Sequence, residues 1–172
     1  MILPIRLYGN PILRKKCKDI NTHYPSLKKM IEDMFETMDK AEGIGLAAPQ
    51  IGQNVRLFII DTSASMKKVF INSKVLKIYG KNYKSQEGCL SIPSLFEEIE
   101  RPSHIEIEYY DEHWIKHKEI LDGLNSRVIQ HEYDHIEGKL FIDYLAPIKR
   151  ELLKNQLKEI YLGKVKTKYT IK

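Results

Sequence analysis

Cysteine is scarce in this chain: Cys17 and Cys89 are the only two in 172 residues. One possible pair cannot form a disulfide framework, so no disulfide partner and no oxidising compartment are expected. Long apolar runs are also missing. The longest aliphatic or aromatic stretch, Leu57-Phe-Ile-Ile60, falls far short of the roughly 20 residues that a membrane helix needs. The opening residues, Met1-Ile-Leu-Pro-Ile-Arg6, lack a basic start followed by an apolar run, so they do not read as a secretory signal and the expected location is cytoplasmic. There is no repeat and no low-complexity segment. With 42% hydrophobic and 30% charged residues, the composition excludes disordered and fibrous classes. A chain of this length buries roughly 70% of its unfolded surface, enough for one self-sufficient domain spanning residues 1–172.

Neutrality is missing too, since the net charge is +5 and the pI about 9.0. The excess sits at one end. From Ala146 to Lys172 there are eight basic and two acidic residues, while residues 1–145 carry 20 basic and 21 acidic. The body is near neutral, and residues 147–172 form a basic C-terminal helix and tail.

Hydrophobic periodicity places the elements. Leu27, Met30, Ile31, Met34, Phe35 and Met38 recur at steps of three and four, which predicts a helix from Pro25 to about Glu42, stopped by Gly43. Val55–Asp61 and Val69–Tyr79 read as strands, the second broken near Asn72-Ser73. Ile105, Ile107 and Tyr109 alternate with Glu106 and Glu108 as in a half-buried strand, and a turn at Asp111–Trp114 makes a hairpin. A second helix is expected from about Asp122 to Glu137, ended by Gly138. A third begins near Pro147, with Ile148, Leu152, Leu153, Leu157, Ile160 and Tyr161 on one side and Gly163 after it. Strands grouped together with helices around them argue for an α+β fold.

The chemistry is concentrated in Gln130-His-Glu-Tyr-Asp-His135. His131 and His135 are four apart, so on a helix they share a face and can hold one metal ion, with Glu132 beside them as a base. Leu124, Val128, His131 and His135 fall at steps of four, three and four, which predicts that the histidines extend an apolar, core-facing stripe. His113 and His117 share the spacing but sit in an expected turn and strand, and read as solvent-exposed. Asp134 is a candidate to steady a ligand histidine, or else a solvated helix charge.

A catalytic site of this kind needs a third protein ligand. One metalloendopeptidase pattern would put a histidine at position 141, which is Phe141, and no histidine follows His135. Another uses a downstream helical glutamate, but Glu151 sits in the wrong context, between Arg150 and Leu-Leu-Lys. The better donor is upstream: Cys89 in Glu87-Gly-Cys-Leu-Ser-Ile-Pro93. Spacing alone would favour an inert thiol there, but thiolate is a strong ligand for zinc or ferrous iron. Cys17, among lysines, reads as structural.

Gly43-Ile-Gly-Leu-Ala-Ala-Pro-Gln50, Glu87-Gly-Cys-Leu-Ser91 and His131-Glu-Tyr-Asp-His135, in that order, resemble the three motifs of the peptide deformylase family. The resemblance implies a metal-dependent hydrolase that removes the formyl group from the N-terminal methionine of nascent polypeptides. It implies a compact α+β domain with antiparallel sheets packed around a central metal-binding helix, plus an N-terminal and a C-terminal helix. Cys89, His131 and His135 would hold one divalent ion. The family favours Fe(II), while the donor set also accommodates Zn, Ni or Co. Glu132 would be the general base, and the side-chain amide of Gln50 and the backbone N–H of Leu90 the oxyanion donors. Gly45 matches a substrate-contact position; Ile44, Leu124 and Val128 are candidates for the methionine pocket or, equally, for core packing. Phe96 stands where many members have an arginine, so that residue's peptide contact does not transfer, and Arg101 has no assigned place.

The tail from Lys164 to Lys172 alternates apolar or neutral with basic residues. It reads either as an edge strand or frayed end guarded by lysines, or as a contact with ribosomal RNA, a task a C-terminal helix performs in some family members. Two other functions compete: a zinc metalloendopeptidase of the His-Glu-x-x-His type, and a non-catalytic ribosome-binding homologue.

Overall fold

A computed structural model describes residues 1–62 and 66–172. In chain order the elements are α1 (Leu27–Lys40), β1 (Gly45–Ala47), β2 (Leu57–Asp61), β3 (Lys67–Cys89), β4 (Ile92–Tyr110), β5 (Lys116–Asp122), α2 (Gly123–Ile136), α3 (Pro147–Leu152) and α4 (Lys154–Tyr161). The five strands form one antiparallel sheet in the order β1-β2-β3-β4-β5. The separate sheets expected from sequence are joined because β3 and β4 are long and change register at several points, one between Ile71 and Lys74, where Asn72 adopts φ 49. Such irregularities bend a strand without ending it.

Burial on β2 alternates between two cores. Leu57 and Ile59 pack with Ile31, Met34 and Met38 of α1, while Phe58 and Ile60 pack with Val128, Ile129 and Ile136 of α2. Each fully buried apolar side chain here contributes roughly 1.5–3 kcal/mol. The strand is therefore held between the two helices, and α2 lies against the sheet that supports it. A third cluster joins Ile92, Leu95 and Ile99 of β4 to Leu140–Ile142, Leu157 and Ile160.

Three helices end in the same way. After α2, Gly138 takes φ 76; its N–H bonds to His135 C=O, and Lys139 N–H bonds to Asp134 C=O. After α4, Gly163 (φ 68) does the same with Ile160, and Lys164 with Glu159. After α1 the left-handed residue is Glu42 (φ 58), one position before the expected Gly43, with Gly43 N–H bonding to Met38 C=O. All three close their last carbonyls in a Schellman arrangement.

Two expectations are corrected at the C-terminus. The third helix is split at Leu153, and its apolar stripe divides: Leu157 and Ile160 are buried, whereas Ile148, Leu152 and Tyr161 are exposed. The tail keeps the alternation, with Val165, Thr167, Tyr169 and Ile171 half-buried and its lysines exposed, but it is not a ladder strand. It meets the body through a parallel bridge between Ile171 and Ile5.

Candidate metal centre

Cys89 ends β3 at the tip of the β3–β4 hairpin, whose turn is Leu90-Ser91. α2 faces that tip. The donor atoms of Cys89, His131 and His135 all lie within 4.8 Å of one another. Cys89 Sγ is 3.3 Å from His135 Nε2, a spacing that suits two ligands bonded to one ion at about 2.3 and 2.1 Å. The donor set also fits the chemistry of a divalent transition metal, with thiolate and two imidazoles leaving room for a further ligand. Burial holds the His135 pKa well below the usual histidine range, and nearby His131 adds to this, which favours the neutral ring that metal binding requires.

Glu87 fixes His131. Its Oε2 lies 3.1 Å from His131 Nδ1, which places the ring proton there and leaves Nε2 free to coordinate. Glu87 is itself buried and accepts from Arg101 Nε at 2.7 Å, Arg101 Nη2 at 3.0 Å and Arg127 Nη1 at 2.7 Å. Burial alone would raise its pKa, yet hydrogen bonds from His131 and Arg101 hold it down at about 2. Asp134 stands one step further out: it accepts from Arg101 Nη1 (2.8 Å) and the Tyr144 hydroxyl (2.9 Å). The expected contact of Asp134 with a ligand histidine therefore runs through Arg101 and Glu87, and Arg101 acquires its place. Sequence reasoning misses Glu87, although its position two residues before Cys89 on a strand puts both side chains on one face.

Glu132 is buried against Gly45, and its Oε2 makes no hydrogen bond among the described residues. Burial pushes its pKa up to about 7, against the pull of His131 and with help from Glu87. Gln50, in the short turn Ala48–Ile51, accepts from Ala47 N–H through Oε1 at 2.9 Å. That bond turns its Nε2 toward Ser91 Oγ (3.2 Å) and Cys89 Sγ (3.5 Å).

A cavity of about 650 Å³ opens over the centre. Ile44, Gly45, Leu90, Leu124, Val128 and Phe96 all line it. Leu124 is 57% exposed, which corrects the core-facing stripe: the first turn of α2 overhangs the cavity, and only from Val128 onward does that face pack inward. Ile44 is also exposed, whereas Val128 is 5% exposed and belongs to the core against β2. The ring of Phe96 covers Gly88, where a Cβ would meet it at 2.4 Å.

The second pair with this spacing, His113 and His117, stays apart from this centre. His117 Nε2 bonds to Asp111 Oδ2 at 2.7 Å and stacks on Tyr109, so it is half-buried rather than free as expected, while His113 is exposed. The rival ligand positions are occupied otherwise. Phe141 is buried and stacks on His131, and Glu151 is exposed and pairs with Lys154.

The sequence model of the polypeptide deformylase family matches residues 2–151. A peptide deformylase of Christiangramia forsetii is 46% identical over 100% of this chain and 96% of its own length. That of Karelsulcia muelleri is 55% identical over 87% of this chain and 81% of its own. The crystal structure of peptide deformylase from Thermus thermophilus superposes with a TM-score of 0.88 at 39% identity, covering 94% of this chain and 99% of that one. With its three motifs folded onto one cavity, this chain belongs to the peptide deformylase family.

Proposed function

We infer that the chain is a metal-dependent amide hydrolase that removes the formyl group from the N-terminal formyl-methionine of newly synthesised polypeptides, releasing formate. The observation that carries this is the cluster of three candidate metal donors, two of which, Cys89 and His131, line one cavity together with the buried carboxylate of Glu132. A divalent ion held by Cys89, His131 and His135 would polarise the formyl carbonyl and make a water acidic enough to attack at neutral pH. Glu132 takes the proton from that water and returns it to the departing amine. The Gln50 amide, pre-aligned by Ala47, and the Leu90 N–H donate to the oxygen on which charge develops. Gly45 hydrogen-bonds the extended substrate, and Ile44, Leu124 and Val128 receive the methionine side chain. The family's preference for Fe(II) is carried to this chain, with Zn, Ni or Co as substitutes.

In this reading residues 1–172 act as one catalytic unit in the cytoplasm, where formylated chains are made. No helix among the described residues is long and apolar enough to cross a membrane. Exposed lysines of the C-terminal segment bring the enzyme to ribosomal RNA. Truncation after Gly163 would also remove the packed Val165, Tyr169 and Ile171, so charge reversal of exposed Lys164 and Lys172 is the better probe. Weaker co-sedimentation with ribosomes at low salt supports docking; unchanged binding rejects it.

The reaction itself is tested by formate release from a formyl-methionyl peptide, using protein prepared without oxygen and loaded with ferrous iron. Wild type turns over, and Glu132→Ala abolishes turnover while retaining metal. No release by wild type would reject the assignment. Cleavage of internal peptide bonds would favour the endopeptidase reading.

A further inference from the structure

We propose that Tyr169 is a positioning residue for this reaction, acting through the Leu90-Ser91 turn; the inference rests on the deformylase reading above. The Tyr169 hydroxyl donates to Leu90 C=O at 2.7 Å, and its ring packs beside Leu90 against the α1 core. On the other side of the turn, Tyr8 N–H donates to Ser91 C=O at 2.8 Å. The two-residue turn is therefore held at both carbonyls from outside, and at Cys89 from within by the metal centre.

The Leu90 N–H and C=O belong to successive peptide planes hinged at one Cα. Holding the C=O on one side and Cys89 on the other narrows the directions open to the intervening N–H, beside the cavity that Leu90 lines. A free turn would lose part of its time to orientations in which that N–H points away from the developing charge. Donors aligned before the reaction are worth more than donors that must reorient during it.

The segment that delivers Tyr169 is anchored rather than loose. Ile5 N–H bonds to Thr170 C=O and Lys172 N–H to Ile5 C=O, each at 2.9 Å, and Thr167 Oγ1 donates to Tyr169 C=O at 2.6 Å. Lys166–Tyr169 line the same cavity as Cys89 and His131.

Tyr169→Phe removes one oxygen and keeps the ring. In the ferrous enzyme we expect kcat to fall about tenfold, less than the loss of a whole oxyanion donor, with KM within about twofold and bound metal unchanged. In zinc-loaded protein, the carbonyl ¹³C resonance of Leu90 should move upfield, a readout independent of turnover. An unchanged kcat, an unmoved Leu90 resonance, or a loss that follows metal content or melting temperature would overturn the proposal. Formate release by wild type, measured alongside, judges the deformylase reading separately.

Discussion

The carboxylate of Glu132 rests against the Cα of Gly45: a Cβ at Gly45 would stand 2.4 Å from Glu132 Oε1 and 2.8 Å from its Cδ. The carboxylate occupies the space that any other side chain at position 45 would fill. Gly45→Ala should therefore push the carboxylate out of line and lower kcat/KM about 100-fold, the usual penalty for a displacement near 1 Å. Steady-state formate release together with a melting curve checks this. Turnover within twofold of wild type would show that the carboxylate tolerates the shift.

Glu87 holds two buried arginines and one imidazole at once. Glu87→Gln keeps the shape but removes the charge that compensates Arg101 and Arg127. We expect about 3 kcal/mol of destabilisation, in the range for one partner lost from a buried ion pair, and 10- to 100-fold weaker metal retention. Urea denaturation and competition with a chelator measure the two effects. Asp134→Asn, which touches Arg101 and not the histidine, should leave metal retention closer to wild type.

The candidate metal donors come from two elements, the tip of the β3–β4 hairpin and α2. An ion shared between them stabilises only the folded chain, by about 4 kcal/mol at a thousandfold excess over its dissociation constant, or about 10 °C in Tm for a domain of this size. Stripping with a chelator should lower Tm by that order, and readdition of the ion should restore it. Cys89→Ala should make Tm insensitive to the chelator.

Glu137 closes α2 and accepts from Arg56 Nη1 at 2.5 Å, with Lys16 at 3.2 Å. Burial would raise its pKa, but the hydrogen bonds from Arg56 and Lys16 prevail and hold it below the ordinary glutamate value. A depressed carboxylate stabilises the fold fully above its unfolded pKa of about 4.3, and that gain is lost as pH falls through the lower folded value. Glu137→Gln should then cost about 1–2 kcal/mol at pH 7 and progressively less as the pH is lowered toward and below the folded pKa. Unfolding free energies at the two ends of that range provide the check. A cost that does not shrink with acid would mean that packing, not charge, carries the effect.

Legibility in the sequence followed the range of the interaction. The stripe from Leu27 to Met38 and the pair His131/His135 depend on helical spacing, so both could be read directly. The stop after α2 was equally plain, because Gly138 packs so close to Arg14 C=O that a side chain there would clash, and its φ favours glycine. The end of α1 was misplaced by one residue, since a glutamate took the left-handed position beside an available glycine. The roles proposed for Gln50 and Leu90 rest on motif resemblance, since local pattern alone leaves both as loop residues. Burial of Arg101 and Arg127 around Glu87 joins β3, β4 and α2, a contact that no spacing along the chain announces. The tail alternated as a strand should, but whether an edge is free to receive it is settled by topology; here it found Ile5 and Leu90 instead.

The placement of β2 between two helices has a consequence for the order in which the cavity's walls give way. Amides of β2 and of the adjoining face of α2 should be the slowest to exchange with solvent, because exposing them requires dismantling both cores. The segment from Lys166 to Tyr169 is anchored through side chains, Tyr169 at Leu90 and Lys168 at Glu42, so its amides should exchange sooner than those of β2. One side of the cavity is then a permanent wall that keeps the two histidines in register for the lifetime of the fold. The other is the wall that Tyr169 ties to Leu90, and it should loosen before the histidines do.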